Sequence, residues 1–164
     1  MSLHARHGLG LGLAALTLAL DQLTKLWALN TLMDPPVMIR VTGWWDMVLV
    51  WNHGISFGLL GAGAVPPWVL VAVTAAIAAG VAVWLFRSVR WLPIVTAGLI
   101  FGGAVGNVID RLLYGAVVDF VRWHAYGYSW PVFNLADAAI TLGIGLLIAE
   151  SLFADKSPPK SAAE

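Results

Sequence analysis

Apolar residues run almost unbroken through four stretches of this chain, at 8–29, 65–86, 91–114 and 132–153. Each reaches the roughly 20 residues that a helix needs to cross the hydrocarbon core of a bilayer, which predicts four transmembrane helices. Pro66 and Pro67 open the second stretch, where a proline is tolerated because the N–H it lacks would have no intrahelical partner. The first stretch is purely apolar only from Gly8 to Leu20 and then carries Asp21, Gln22, Thr24 and Lys25. Asp21 and Lys25 share a helix face and can neutralise one another, so this polar stripe can point into a bundle. The rival reading is a cleaved signal peptide, which the basic-then-apolar order of the N-terminus allows, but no small-x-small site precedes Asp21.

Segment 30–64 is too long for a tight turn, and its MIRVTGWWDMVLVWN run is rich in Val, Ile, Trp and Thr. That enrichment predicts short strands, with Asp34-Pro35-Pro36 and Gly43 supplying turns. Trp44, Trp45 and Trp51 read equally well as belt aromatics at headgroup level. In the third stretch Gly98, Gly102, Gly103 and Gly106 give overlapping GxxxG spacings, which let helices approach closely. The expected architecture is an all-α membrane protein: four transmembrane helices and a small β-rich element on the outer face between helices 1 and 2. A single integral membrane domain over 1–154 is followed by a polar tail, 155–164.

Composition fixes the solvent and removes chemistries. With 60% apolar and 11% charged residues and nine Trp in 164, most of the chain is matched to lipid. Net charge is zero and no basic run is present, so no nucleic acid is expected as partner. The absence of cysteine excludes a thiol nucleophile, a disulfide framework and a cysteine metal site. Arg6, Arg87, Arg90, Lys156 and Lys160 fall on one side of the four spans; Arg40, Arg111 and Arg122 fall on the other, with Asp34, Asp46 and Asp119 nearby. That bias favours both termini in the cytoplasm.

Polar residues then gather at the other, outer edge: Asn107, Asp110 and Arg111 close the third stretch, Asp119 lies between Val118 and Phe120, and Asn134 and Asp137 head the fourth. Taken singly, Asp110 beside Arg111 reads as a surface ion pair and Asn134 as a helix N-cap, with Asp137 at the helix dipole. On a continuing helix Asn107 and Arg111 share a face and Asp110 is offset from it. Taken together, Asp119 and Asp137 are costly near hydrocarbon and suit an aspartic dyad, in which one proton is held between two carboxylates. A metal held by the two aspartates with His53 or His124 is the chemical rival, without a supporting spacing such as HExxH. A small proton or ion conduit is the alternative class, though it would want polar groups through the full bilayer depth. A structural membrane partner is a third.

The motifs DQLTK (21–25), NHGISFGLL (52–60), GGAVGNVIDR (102–111), VVDF (117–120) and FNLADAAI (133–140) resemble, in order, those of the lipoprotein signal peptidases, or signal peptidase II. The NHGISFG stretch departs from many members, which have small residues where Ile55 and Ser56 stand. The resemblance implies a multi-pass aspartyl endopeptidase of the bacterial inner membrane, with its active site near the periplasmic face. Such an enzyme removes the signal peptide of diacylglyceryl-modified prolipoproteins by cutting before the lipidated cysteine. It implies inhibition by globomycin and contact with membrane lipid; no cofactor or metal is expected, since no ligand spacing supports one. By motif position, Asp119 and Asp137 are the catalytic pair, and Asn52, Asn107, Asp110, Arg111, Asn134, Asp21 and Lys25 line or support the site.

Overall fold

The computed structural model describes residues 2–54 and 66–154. Four helices carry most of them: α1 (Leu3–Leu32), α2 (Pro67–Arg87), α3 (Trp91–Tyr114) and α4 (Leu135–Ala154). Each is long and apolar enough to cross a membrane. The polar residues of the first stretch do not interrupt it. Helix α1 starts at Ser2, whose hydroxyl accepts the Ala5 N–H, and runs well beyond the expected 8–29 at both ends. The second and fourth helices begin two and three residues later than the apolar stretches 65–86 and 132–153, whereas α3 has the expected bounds. Gly115 ends α3 with φ of 72°, a left-handed conformation that costs glycine little, and its N–H returns to the Arg111 carbonyl.

Helix α3 is the centre of the bundle, packing against α1, α2 and α4. Its small residues make that possible. A Cβ added at Gly98 would overlap the Gly10 backbone, one at Gly102 the backbone of Ala14, and one at Gly103 the carbonyl of Ala136. The overlapping GxxxG spacings therefore serve close helix packing, as expected from sequence.

The β element differs from expectation in composition. Strands β1 (Ile39–Arg40) and β2 (Trp45–Asn52) do lie between α1 and α2, but β3 (Val117–Ala125) and β4 (Tyr128–Ser129) come from between α3 and α4. The four form one antiparallel sheet in the order β1-β2-β3-β4, with Val50 opposite Asp119 and Asn52 opposite Val117. The β3–β4 turn places both Tyr126 and Gly127 at positive φ, the twist that two-residue hairpins favour. β3 reads as a continuous apolar run because Val117, Val118, Asp119 and Phe120 are all buried, which erases the alternation that marks a half-exposed strand.

This sheet sits at the end of the bundle where α1 and α3 finish and α4 begins. Phe120 packs against Ala28 and Leu32 of α1, with Ile39, Met47, Leu49 and Val121 around them. Across the sheet, Asp46 is covered by its own partners rather than by a deep core: it accepts from Arg122 and lies 3.0 Å from His124 Nε2 and 3.7 Å from Arg40 Nε. The Arg122 hydrogen bond, with the charges of His124, Arg122 and Arg40, holds this carboxyl below its ordinary range. His124 is thereby engaged with Asp46. The polar tail expected at 155–164, and Ile55 and Ser56 of the NHGISFG stretch, lie outside the described residues.

Candidate active site

Asp119 is carried by the second position after the start of the strand that pairs with β2, and Asp137 by the first turn of α4. Between them, Phe133 is tied to β3 by reciprocal backbone hydrogen bonds with Val121, which turns the chain into α4. Asn134 then precedes the helix, and its Oδ1 accepts the Asp137 N–H at 2.9 Å. This is the N-cap bond that the bland reading of Asn134 anticipates. The same residue also serves the site, because its Nδ2 donates to Asp119 Oδ1 at 2.7 Å.

Two further asparagines aim donors at the pair. Asn107 Nδ2 donates to Asp137 Oδ1 at 2.8 Å, and Asn52 Nδ2 donates to Asp119 Oδ2 at 2.9 Å. None of the three amides is free to turn over. Asn107 Oδ1 receives Lys25 Nζ at 2.9 Å and Asn134 Nδ2 at 3.2 Å, and Asn52 Oδ1 receives the Gly54 N–H at 3.0 Å. An ammonium group and a backbone N–H only donate, so each amide oxygen must face them and each NH2 must face a carboxylate.

Asp119 is 1% exposed. Burial, reinforced by the Asp137 carboxylate, pushes its carboxyl up to about 7 against the opposing pull of Asn52 and Asn134. A proton is therefore available within the pair near neutrality.

Behind the pair lies a buried ionic cluster. Lys25 Nζ is 2.8 Å from Asp21 Oδ2 and 2.8 Å from Asp110 Oδ2. Asp21 and Lys25 thus neutralise one another inside the bundle, as the helical spacing suggests. Of the two readings of Asp110, the surface pair with Arg111 is not the one seen. Asp110 faces Lys25 and is 1% exposed, while Arg111 donates instead to the carbonyls of Asn107 and Gly54. Asn107 and Asp110, three apart on α3, are the pair that points inward. All the residues expected at the site are brought together, with Arg111 engaging through backbone carbonyls.

Sequence reasoning missed Gln22, whose Nε2 reaches both Asp21 Oδ2 at 3.2 Å and Asp110 Oδ1 at 3.1 Å. It also missed Gly106, where a Cβ would occupy the place of the Asp21 carboxylate. The signal for Gln22 was its place beside Asp21 in an apolar segment. Gly106 was indistinguishable from the other small residues of α3. Thr141 and Phe133 were missed too. One cavity of about 250 Å³ runs from Asn52 past Phe133 and Asp137 to Ile140, Thr141 and Ile144. A second, of about 380 Å³, is lined by Trp123, Trp130 and Leu142 and shares Phe133, Asp137 and Thr141 with the first. Both are mainly apolar clefts with a carboxylate in the wall.

Comparison with known proteins shows what the chain as a whole is similar to. Over 147 residues the chain is 50% identical to a lipoprotein signal peptidase of Methylorubrum extorquens (strain PA1), covering 86% of this chain and 85% of that one. Over 159 residues it is 46% identical to a lipoprotein signal peptidase of Azoarcus sp. (strain BH72), covering 93% and 87%. A solved bacterial membrane enzyme, determined by the in meso method at 2.3 Å resolution, superposes with a TM-score of 0.79 at 28% identity, covering 96% of this chain and 94% of that one. The family profile described as signal peptidase (SPase) II matches residues 13–153, and the chain belongs to that family.

Proposed function

We propose that this protein is an aspartyl endopeptidase that removes the signal peptide from diacylglyceryl-modified prolipoproteins, cutting just before the lipidated cysteine. The observation that carries the reading is the arrangement of Asp119 and Asp137. Two carboxylates on different elements share an asparagine network of fixed orientation, and one of them titrates near neutrality. The ionised member takes a proton from water as the water oxygen bonds to the scissile carbonyl carbon. The protonated member donates first to that carbonyl oxygen. When the C–N bond breaks, the carboxyl that took the water proton donates it to the departing amine nitrogen of the cysteine, and the other carboxylate takes back a hydroxyl proton as the tetrahedral carbon collapses to the acid. The proton balance of the pair is restored at the end of the cycle.

The two clefts that share Phe133 and Asp137 suit the substrate. Asp137, Ile140, Thr141 and Ile144 follow one another on one face of α4, so an apolar signal segment lying along that face would bring its cut end to the carboxylates. Acyl chains that remain in the bilayer hold the cysteine at the boundary where α3 ends and α4 begins. This reading sets the site at the periplasmic face of the inner membrane with both termini in the cytoplasm, and globomycin as inhibitor. The clustering of the polar side chains at one end of the bundle favours it over an ion conduit, which needs polar groups through the full depth.

Replacing Asp119 or Asp137 by asparagine tests the assignment. Each variant is expected to lose at least about a hundredfold in turnover, the lower range for removing an acid or base. Turnover near that of the unaltered protein, in either folded variant, would end the dyad reading.

A further inference from the structure

Lys25 makes no hydrogen bond to either aspartate of the pair, yet it is 2% exposed inside the helix bundle, where an ammonium group is costly. Elsewhere the same interface is made without charge. Gly98 meets Gly10 and Gly102 meets Ala14, so close packing of α1 on α3 does not require it. Replacing buried ionic clusters by apolar groups is often neutral or stabilising, so stability alone is a poor account of this one.

The bonds made by its two carboxylate partners are more specific. Asp110 Oδ2 accepts the backbone N–H of Val118 at 3.1 Å, and Asp21 Oδ1 accepts the backbone N–H of Ala136 at 2.9 Å. Val118 immediately precedes Asp119, and Ala136 immediately precedes Asp137. Lys25 Nζ bonds both carboxylates at 2.8 Å, Gln22 Nε2 reaches both, and Lys25 also fixes the Asn107 amide that donates to Asp137.

From this geometry we infer that Lys25 is a positioning residue: it ties together two braces, one holding the strand of Asp119 and the other the first turn of α4, and so sets the spacing of the pair. The inference rests on the dyad reading and deepens it. Among the described residues, strand β3 is tied to the approach to α4 by the Phe120 and Val121 backbone bonds with Phe133 and by the Asn134 amide, all on the near side of Asp137, so the cluster adds the contacts that reach the residues immediately before each carboxylate.

A brace and a simple charge have different consequences for pH dependence. The ionic groups around the pair are Asp21 and Lys25 from α1 and Asp110 and Arg111 from α3. Losing the Lys25 charge alone would displace both limbs of the activity profile in the same direction. Losing the brace lets the carboxylates move apart, which weakens their mutual repulsion and draws the two limbs together.

The test is the pH dependence of kcat and KM for Lys25→Gln with a diacylated prolipoprotein in detergent. The expected result is a fall in kcat of about a hundredfold, the scale of an ångström-sized misplacement, with KM within about threefold and the limbs closer together. An unchanged separation of the limbs would overturn the proposal, whatever the loss of rate. If Lys25→Gln does not fold, amide exchange in the unaltered protein decides instead. The Val118 and Ala136 N–H groups should be among the slowly exchanging amides, and exchange of either at the rate of an exposed loop would overturn the brace. Failure of the dyad itself would appear separately, as turnover retained by Asp119→Asn or Asp137→Asn.

Discussion

At the scale of single residues, the site is built from side chains whose orientation is forced by a neighbour that can only donate. Asn134 is the plainest case, since the bond that caps α4 also turns its NH2 toward Asp119. The sequence made Asp119 and Asp137 legible as candidates because a carboxylate in an apolar run is expensive, but Asp21 competed on the same ground and the motif resemblance was needed to prefer the pair. At Asp110 the sequence left a surface pair with Arg111 open beside a supporting place at the site, because adjacency alone does not show which way either side chain turns; the carboxylate faces Lys25. The raised Asp119 carboxyl has a consequence for stability. Its value of about 7 in the fold exceeds the roughly 3.9 of an unfolded aspartate, so folding is favoured by this group below about pH 4 and progressively less as pH rises to about 7. Thermal unfolding in detergent should therefore show a Tm that declines more steeply across that window in the unaltered protein than in Asp119→Asn. Parallel curves for the two proteins would contradict the shift.

At the scale of elements, the length of the apolar stretches was enough to find four helices, and α3 has the expected bounds, ending where Gly115 takes a left-handed conformation. Strands β1 and β2 were foreshadowed by β-branched and aromatic residues. Strand β3 was not, because four consecutive buried residues imitate the edge of a span and the partners that bury them are distant in sequence. The α1–α3 contact makes a prediction of its own. A methyl group at Gly98 would meet backbone rather than a movable side chain, so Gly98→Ala should destabilise the protein by about 1–3 kcal/mol, as overpacking typically does. Gly12, on the same helix pair but facing open space, is the control. Gly12→Ala should be neutral or stabilise by up to about 1 kcal/mol, because alanine is the better helix former. Equal effects of the two substitutions on reversible unfolding in detergent would refute close α1–α3 contact at Gly98.

At the scale of the whole molecule, chain order and spatial order diverge in one place that matters. The sheet takes two strands from each of two distant connections, and this union brings Asn52 to Asp119. No local pattern could reveal that pairing, although motif resemblance put both residues at one site. The polar groups converge where α1 and α3 end and α4 begins, and the apolar clefts beside α4 lead to the same place. A peptidase acting on a substrate anchored by its own acyl chains would require this convergence. The most direct measurement is the mass of the products when the purified protein is incubated with a diacylated prolipoprotein. The expected product begins at the diacylglyceryl-modified cysteine and is absent when Asp119→Asn or Asp137→Asn replaces the unaltered protein. An intact substrate, a cut at any other bond, or the same product from either variant would contradict it.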